Sequence, residues 1–279
     1  CTIQTFYGNE AVFDAHFAEK LAAIEIDPSR FYHYGTGQSS DSLVWGNHRG
    51  ILDDLCQFAQ KHPNVLLEFK TKSDNIAYFL THPVASNVVC SWSLNTPTVI
   101  ENEEHFTADL DHRLSAARRA ADQGIKVAFH FHTIVYYEGW EEDYLELVKR
   151  VQASFYPKEI AFISLGSVTF IKPVMQQIRK RGDATKILQM PLVSAPKNKW
   201  SYPESLKVQQ FQLMYRTFES WRQDVFFYLC MEGAGIWDQV FGWHYPTNED
   251  FEMDFGKKVM KKITQQDPKR AALPKEKVK

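Results

Sequence analysis

The sequence is poor in cysteine, lacks long apolar runs and has no large excess of either charge. Only four of the 279 residues are cysteines, at positions 1, 56, 90 and 230, and their wide spacing argues against a disulfide framework. No run of about 18 apolar residues indicates a membrane span, and no basic and then apolar leader indicates a signal peptide. The sequence therefore predicts a cytoplasmic protein without a membrane partner.

The charge balance gives no support for nucleic-acid binding by the chain as a whole. The 34 acidic and 32 basic side chains leave a formal net charge of -2, so any contact with phosphates would have to use a local basic surface. Hydrophobic residues make up 44% of the sequence and aromatic residues 14%. A chain of this length and composition can bury the core of one large α/β domain.

Predicted strands and helices alternate along the first 180 residues. The strands, which are rich in β-branched and aromatic residues, are Phe31–Tyr34, Val65–Phe69, Val88–Trp92, Lys126–Val135 and Ile160–Leu165. The helices, which have helical apolar periodicity, are Glu10–Ile26, Asn47–His62, Thr107–Gln123, Glu141–Ser154 and Ile171–Lys180. This alternation predicts a parallel sheet with helices outside it, either doubly wound or a full or partial barrel.

The pattern changes after residue 182, which predicts three regions. Residues 1–182 form the barrel-like domain, residues 183–256 a C-terminal elaboration, and residues 257–279 a basic tail that we expect to be disordered. The elaboration contains a segment in which cations alternate with aromatic rings, a composition that can hold phosphates and stack on bases. The candidate DNA-binding residues, for which a solvated loop is an equal alternative, are Lys197, Lys199, Trp200 and Tyr202.

Several polar residues lie where predicted strands end. Ser93 and Asn95 alternate on one face of a strand end and are also good turn formers. His130 and His132 share a strand face, but no third ligand is identifiable, so they are interpreted as pocket residues and not as a metal site.

The order of short motifs carries a resemblance to a known family. The strongest motif is Tyr137–Glu142 after the strand Val127–Val135, and the others are Arg30-Phe31, Phe69–Lys72, Ser93–Asn95, Asp111–Arg113 and Phe170–Pro173. Over roughly residues 1 to 180, the sequence resembles the spore photoproduct lyase family of radical S-adenosylmethionine (SAM) enzymes. The resemblance implies a partial (β/α)6-type TIM barrel of the radical SAM kind, lacking its first strand, with a C-terminal elaboration.

The resemblance also implies cofactors, substrate and site residues. Cys1 corresponds to the third cysteine of the loop that holds a 4Fe-4S cluster, so we expect two further cluster cysteines upstream and no complete cluster or turnover from residues 1–279 alone. The implied activity is a DNA-repair lyase that uses a 5′-deoxyadenosyl radical on a thymine-dimer-type photolesion and needs a cellular electron donor. The implied SAM contacts, with an ion pair inside the barrel as the alternative for Arg113, are Lys72, Ser93, Asn95, Arg113, His130 and His132.

Two departures from the family pattern affect one chemical step. The cysteine that returns a hydrogen atom to the product falls on Gly35, and the tyrosine that relays it falls on Thr2. Among the other cysteines, Cys230 is a better substitute than Cys56 or Cys90. The alternatives are therefore a radical SAM enzyme with another substrate and a nucleic-acid-binding homologue without catalysis. An unrelated hydrolase or aldolase-like barrel lacks support, because neither a Gly-x-Ser-x-Gly elbow nor a Schiff-base lysine is evident.

Overall fold

A computed structural model of the chain describes residues 16–37, 41–182, 185–196 and 198–264. The strands of these residues are β1 Tyr32–Thr36, β2 Val65–Thr71, β3 Val88–Ser93, β4 Lys126–Ile134, β5 Ile160–Ser167, β6 Thr169–Ile171, β7 Val193–Ala195, β8 Lys199–Ser201 and β9 Phe226–Leu229. The helices are α1 Phe17–Ala22, α2 Ile51–Lys61, α3 Ala77–Thr81, α4 Pro97–Glu103, α5 Leu110–Asp122, α6 Trp140–Ser154, α7 Lys172–Arg181, α8 Glu204–Thr217, α9 Ala234–Phe241 and α10 Asn248–Thr264.

Six parallel strands form the main sheet, in the order β1-β2-β3-β4-β5-β9, and the sheet forms a half-barrel. Strands β1 to β5 lie side by side in chain order, whereas a doubly wound sheet would reverse its order part-way. The strand order therefore decides between a doubly wound sheet and a barrel, a choice that the periodicity of the sequence left open. The predicted partial barrel is confirmed, and each of the five predicted strands is present.

The sheet does not follow the predicted division at residue 182. Strand β9 pairs in parallel with β5, so the sixth strand of the half-barrel comes from the predicted elaboration. The predicted disordered tail is also wrong for its first residues, because α10 continues to Thr264. Its lysines suggested a solvated tail, but the helix buries Phe255, Val259 and Ile263 along one face.

The two faces of the main sheet have different cores. The outer face packs against the helices that connect the strands, while the inner face packs against α10. The residues of the sheet that share a buried cluster with Phe255, Val259 and Ile263 of α10 are Leu66, Val89, Ala128, Ala161 and Phe162. Helix α10 therefore covers an apolar layer on the inner face, and the polar layer described below lies further along the same strands.

Close packing of α10 makes Gly256 sensitive to substitution. A Cβ atom at Gly256 would lie 2.5 Å from Cδ1 of Phe31, so we expect Gly256→Ala to lower the free energy of unfolding by about 1–3 kcal/mol through overpacking. Helix propensity alone would favour alanine by about 1 kcal/mol. Urea denaturation measures the difference.

The matched control is Gly235→Ala in α9, where an added Cβ would meet nothing within 4 Å. It should leave stability unchanged or raise it, because only the propensity contributes. Equal stabilisation by both substitutions would contradict the packing of α10 against Phe31.

Candidate active site

A layer of polar side chains lies on the inner face of the half-barrel, towards the carboxyl ends of its strands. Side chains alternate between the two faces of a strand, and the register places Gly35 of β1 beside Glu68 of β2, and Ser93 of β3 beside His130 of β4. Active sites of barrel enzymes form at the carboxyl ends of the strands. The polar layer is therefore the candidate active site.

Glu68 is the centre of this layer and is only 4% exposed. Its Oε2 atom lies 2.7 Å from Nε2 of His33, its Oε1 atom lies 2.5 Å from Nε2 of His130, and the Ser91 hydroxyl also donates to Oε1. Burial raises the pKa of the Glu68 carboxyl, but the neighbouring His130 and His33 rings outweigh this and hold the pKa well below its usual value. Glu68 is thus an ionised, buried acceptor.

His130 offers an unused acceptor to this site. A carboxylate can only accept, so Nε2 of His130 carries the proton that is donated to Glu68. Burial lowers the pKa of His130, although Glu68 opposes this, and the lowered pKa favours the neutral form of the ring. Within the described residues the buried Nδ1 atom has no hydrogen-bond partner. Because an unpaired buried acceptor costs free energy, Nδ1 marks a position where a ligand's N–H or O–H group could bind.

His132 and Lys70 extend the polar layer. Nε2 of His132 lies 2.6 Å from Oγ of Ser164, and burial lowers the pKa of the imidazole well below its usual value. A Cβ atom at Gly166 would lie 2.8 Å from the His132 ring, so this position needs glycine. Lys70 shares the face of Glu68, and burial lowers the pKa of its ammonium group. The site thus combines one carboxylate, one half-buried lysine and several imidazoles.

A second buried cluster surrounds Glu104, just beyond α4. Its Oε1 atom lies 2.8 Å from Nζ of Lys72, and its Oε2 atom lies 2.7 Å from Nη1 of Arg113. Arg113 is 0% exposed and also donates to the carbonyl oxygens of Ser93 and Ala108. Burial raises the pKa of Glu104, but Lys72 and Arg113 lower it below its usual value. Both cations are therefore paired with the carboxylate by ion pairs, although Oε2 of Glu104 forms no hydrogen bond within the described residues.

Asn95 lies at the edge of the Glu104 cluster. Its side-chain amide donates to the Thr133 carbonyl oxygen at 3.0 Å, and its Oδ1 atom accepts from the Tyr144 hydroxyl at 2.6 Å. These bonds hold the loop after β3 against the end of β4. The amide of Asn95 is thus used in positioning backbone.

The six predicted SAM contacts divide between the two clusters. His130, His132 and Ser93 share the inner face with Glu68, whereas Lys72, Arg113 and Asn95 belong to the Glu104 cluster. For Arg113 the structure shows the ion pair, which was the alternative to a SAM contact. Sequence reasoning missed Glu68, although a carboxylate between Leu67 and Phe69 in a buried strand was a usable signal.

The predicted hydrogen-donor position can be located. Gly35 faces the polar layer, because a Cβ atom there would lie 3.5 Å from Oε2 of Glu68. Cys1 and Thr2 lie outside the described residues. The described cysteines are free, and burial raises the pKa of each thiol, for Cys56 to about 11. Cys230, directly after β9, is the least buried of them.

The predicted DNA-binding segment forms part of a small antiparallel sheet, β6-β8-β7. Tyr202 is 1% exposed, and its hydroxyl donates to the Ile187 carbonyl oxygen, so the prediction of a DNA contact is wrong for this residue because its ring is part of the core. Trp200 is half-buried against the same core, and Lys199 is partly exposed. Lys197 lies outside the described residues.

Within the part of the chain that the structure describes, no three His, Cys, Asp or Glu side chains converge in a way that could hold a metal ion. No helix among residues 16–37, 41–182, 185–196 and 198–264 has the length and apolar character of a membrane span.

Comparison with known proteins identifies the family. The family model described as spore photoproduct lyase matches residues 7–215, which is well over half of the chain. This chain belongs to the spore photoproduct lyase family. The family predicted from the motifs is confirmed.

Curated spore photoproduct lyases are longer than the chain. The enzyme of Clostridium acetobutylicum is 29% identical over 123 residues, which cover 44% of this chain and 37% of that protein. The enzyme of a Geobacillus strain is 28% identical over 195 residues, which cover 67% of this chain and 57% of that protein. The matched residues thus span between about a third and just over half of the length of these relatives.

Solved structures of spore photoproduct lyase share the fold. One, complexed with dinucleoside spore photoproduct, superposes with a TM-score of 0.66 at 22% identity, covering 77% of this chain and 66% of that chain. A mutant with bound AdoMet and dinucleoside spore photoproduct has the same TM-score and identity. At this identity the likeness supports the half-barrel architecture alone.

The Glu104 cluster predicts a pH-dependent stability. Glu104→Gln leaves two buried cations without their carboxylate, so we expect a loss of about 3–5 kcal/mol in the free energy of unfolding at pH 7. The pKa of Glu104 is lowered in the folded state, so its stabilisation is present above the usual glutamate pKa and is lost as the pH falls through the folded value. The gap between wild type and variant should therefore shrink in acid.

Urea denaturation at pH 7 and at successively lower pH measures this gap. The matched control is Glu101→Gln, an exposed position on α4, the helix that ends just before Glu104, which should change stability by less than about 0.5 kcal/mol. A gap for Glu104→Gln that stayed constant with pH would contradict the ionised pair.

Proposed function

We propose that the protein containing this chain is a radical SAM lyase that repairs a thymine-dimer-type photolesion in DNA. The observation that carries the proposal is the polar layer around Glu68, which faces the inside of a half-barrel of the spore photoproduct lyase family. Solved relatives with AdoMet and dinucleoside spore photoproduct support the choice of cofactor and lesion. The activity is assigned to the whole protein, because the chain spans only part of its curated relatives.

The inner-face residues fit SAM better than the Glu104 cluster does. When bound to a 4Fe-4S cluster, SAM supplies a carbon-centred radical that abstracts hydrogen, and the protein has to position and shield it. We assign Ser93, His130 and His132 to the wall of this site, since Nδ1 of His130 can accept from a ribose hydroxyl or an amino group. The predicted cluster ligand Cys1 and its upstream partners stay a prediction.

The remaining predicted contacts act as positioning residues in this proposal. Lys72 could pair with the SAM carboxylate only by leaving Glu104, from which its Nζ lies 2.8 Å. Arg113 holds the end of β3 through the Ser93 carbonyl oxygen, and Asn95 holds the loop that follows. Lys70, whose ammonium is half-buried near Glu68, is a better candidate for an anionic group of the ligand.

The chain's own residues have defined parts in the reaction. Glu68 fixes the rings of His33 and His130 and keeps the proton of His130 on Nε2. A lesion must leave the stack to reach this layer, at a cost of a few kcal/mol that damage reduces. Lys197, Lys199 and Trp200 are the proposed DNA contacts. We also propose a cellular electron donor. We place the protein in the cytoplasm, since the described cysteines are free thiols, which suits a reducing compartment.

One observation favours a second candidate, a radical SAM enzyme with a different substrate. Gly35 faces the polar layer but has no thiol with which to return a hydrogen atom. In this alternative, SAM is cleaved in the same layer and the lesion is replaced by another molecule.

Repair of dinucleoside spore photoproduct tests the proposal. Full-length protein, loaded with iron and sulfide without oxygen, is given SAM, dithionite and the dinucleoside, and chromatography follows release of the thymine dinucleotide. His130→Phe removes the Nδ1 acceptor and should slow release by about tenfold or more. The control His105→Phe changes an exposed ring and should have no effect. Cleavage of SAM without any lesion-dependent product would support the second candidate instead.

Gly35→Cys tests the missing hydrogen donor. The added Cβ would make an ordinary contact of 3.5 Å with Glu68, so we expect a stability change below about 1 kcal/mol. In the repair assay the thiol can donate its hydrogen atom to a carbon radical, which should raise the share of intact thymine dinucleotide among the products. The control is Gly35→Ser, which introduces a side chain of similar size to that of cysteine but without an S–H bond. Equal product shares in the two variants would contradict this role for position 35.

A further inference from the structure

A cavity of about 610 Å³ lies at the end of the main sheet where the strands begin, opposite the end that carries the polar layer. Its wall includes the first residues of β4 and β9, the segment before β5, and the last turns of α10. None of the residues assigned to the polar layer lines it. The cavity is therefore separate from the candidate active site, and nothing in the proposed function uses it.

The cavity wall is strongly cationic. Its basic side chains are Lys126, Lys158, Arg222, Lys258, Lys261 and Lys262, and Asp224 is the acidic side chain among the described residues of the wall. Most of these cations also have contacts within the protein: Lys258 pairs with Asp254 at 2.8 Å, Arg222 lies over the Tyr215 ring, Lys158 lies over the Tyr156 ring, and Nζ of Lys126 donates to the Lys158 carbonyl oxygen. On the described wall itself, six cations face one carboxylate. A wall of this composition attracts a ligand with several negative charges.

Lys262 lies between the cavity and the protein interior. Its ammonium is mostly buried and donates to the Pro157 carbonyl oxygen at 2.7 Å. Burial lowers the pKa of Lys262 to about 8; Asp224 opposes this, and Lys126 lowers the pKa further. Lys261 is exposed and, within the described part of the chain, forms no ion pair. An anion in the cavity would relieve the repulsion between these lysines.

Aromatic rings form the other part of the wall. Trp243 is 45% exposed, although neighbouring rings hold its indole in place. The Tyr245 ring meets it edge-on with centroids 4.7 Å apart, and Phe241 lies nearly parallel to it at 6.3 Å. A fixed but exposed indole next to lysines is a surface on which a nucleobase can stack while its phosphates meet the cations.

We propose that this cavity binds a free nucleoside polyphosphate, with the phosphates at Lys126, Lys158, Lys261 and Lys262 and the base against Trp243. The volume is that of a pocket for one small ligand. Several cations around one space favour two or more phosphates over one, because each lysine acts as a separate point charge. A phosphate-bearing strand of nucleic acid shares this chemistry, and the experiment separates the two sources.

Calorimetric titration of the full chain with ADP tests the proposal. We expect binding that Lys158→Gln/Lys261→Gln weakens by about tenfold or more, since two phosphate contacts are lost. The matched control Lys149→Gln/Lys180→Gln removes two exposed lysines on α6 and α7 and should bind ADP as the unaltered chain does. Circular dichroism checks that each variant is folded.

Two further titrations distinguish the base contact from the phosphate contacts, and a free nucleotide from a strand of nucleic acid. Trp243→Ala should weaken ADP binding but leave the affinity for inorganic tripolyphosphate unchanged, because only the base contact is lost. No ADP binding by the unaltered chain, or equal loss in the control pair, would overturn the proposal. So would an oligothymidylate that binds more tightly than ADP and loses affinity in the same double variant, since it would assign the cavity to nucleic acid.

Discussion

The half-barrel depends on the burial of one carboxylate, that of Glu68. Removing an ionised carboxylate from water costs several kcal/mol unless hydrogen bonds replace the solvent. Glu68 meets this requirement with side chains from three other strands, His33 of β1, Ser91 of β3 and His130 of β4. Four neighbouring strands are therefore fixed relative to one another by a single group, and their inner face has one arrangement that satisfies it.

The buried carboxylates of Glu68 and Glu104 have different chemical consequences. Glu104 forms ion pairs with Lys72 and Arg113, so neither cation is left without a carboxylate. Glu68 is bonded to imidazoles and a hydroxyl, which leaves an acceptor of His130 unused. This difference separates the predicted site residues, although they are close together in the sequence motifs, into two groups. One group belongs to the Glu104 cluster, and the other shares the inner face with Glu68.

The sequence was sufficient for the strands and for the family, and less so for the site. Alternation of apolar strands and amphipathic helices predicted β1 to β5, because each of these elements depends on local periodicity. Strand β9 and helix α10 were misassigned, since their place is set by pairing with β5 and by packing against Phe162, contacts between residues far apart in the sequence. For the same reason the ion pair of Lys72 with Glu104, which lies 32 positions further on, was not predicted.

The position of α10 in the chain also bears on how the protein is made. All other described helices and strands precede α10, yet it covers the apolar layer of Leu66, Val89 and Ala128 on the inner face. During synthesis the strands leave the ribosome before the helix that shields them. Exposed apolar sheet surfaces are prone to association, so the nascent half-barrel is a natural client for chaperones until α10 has been synthesised.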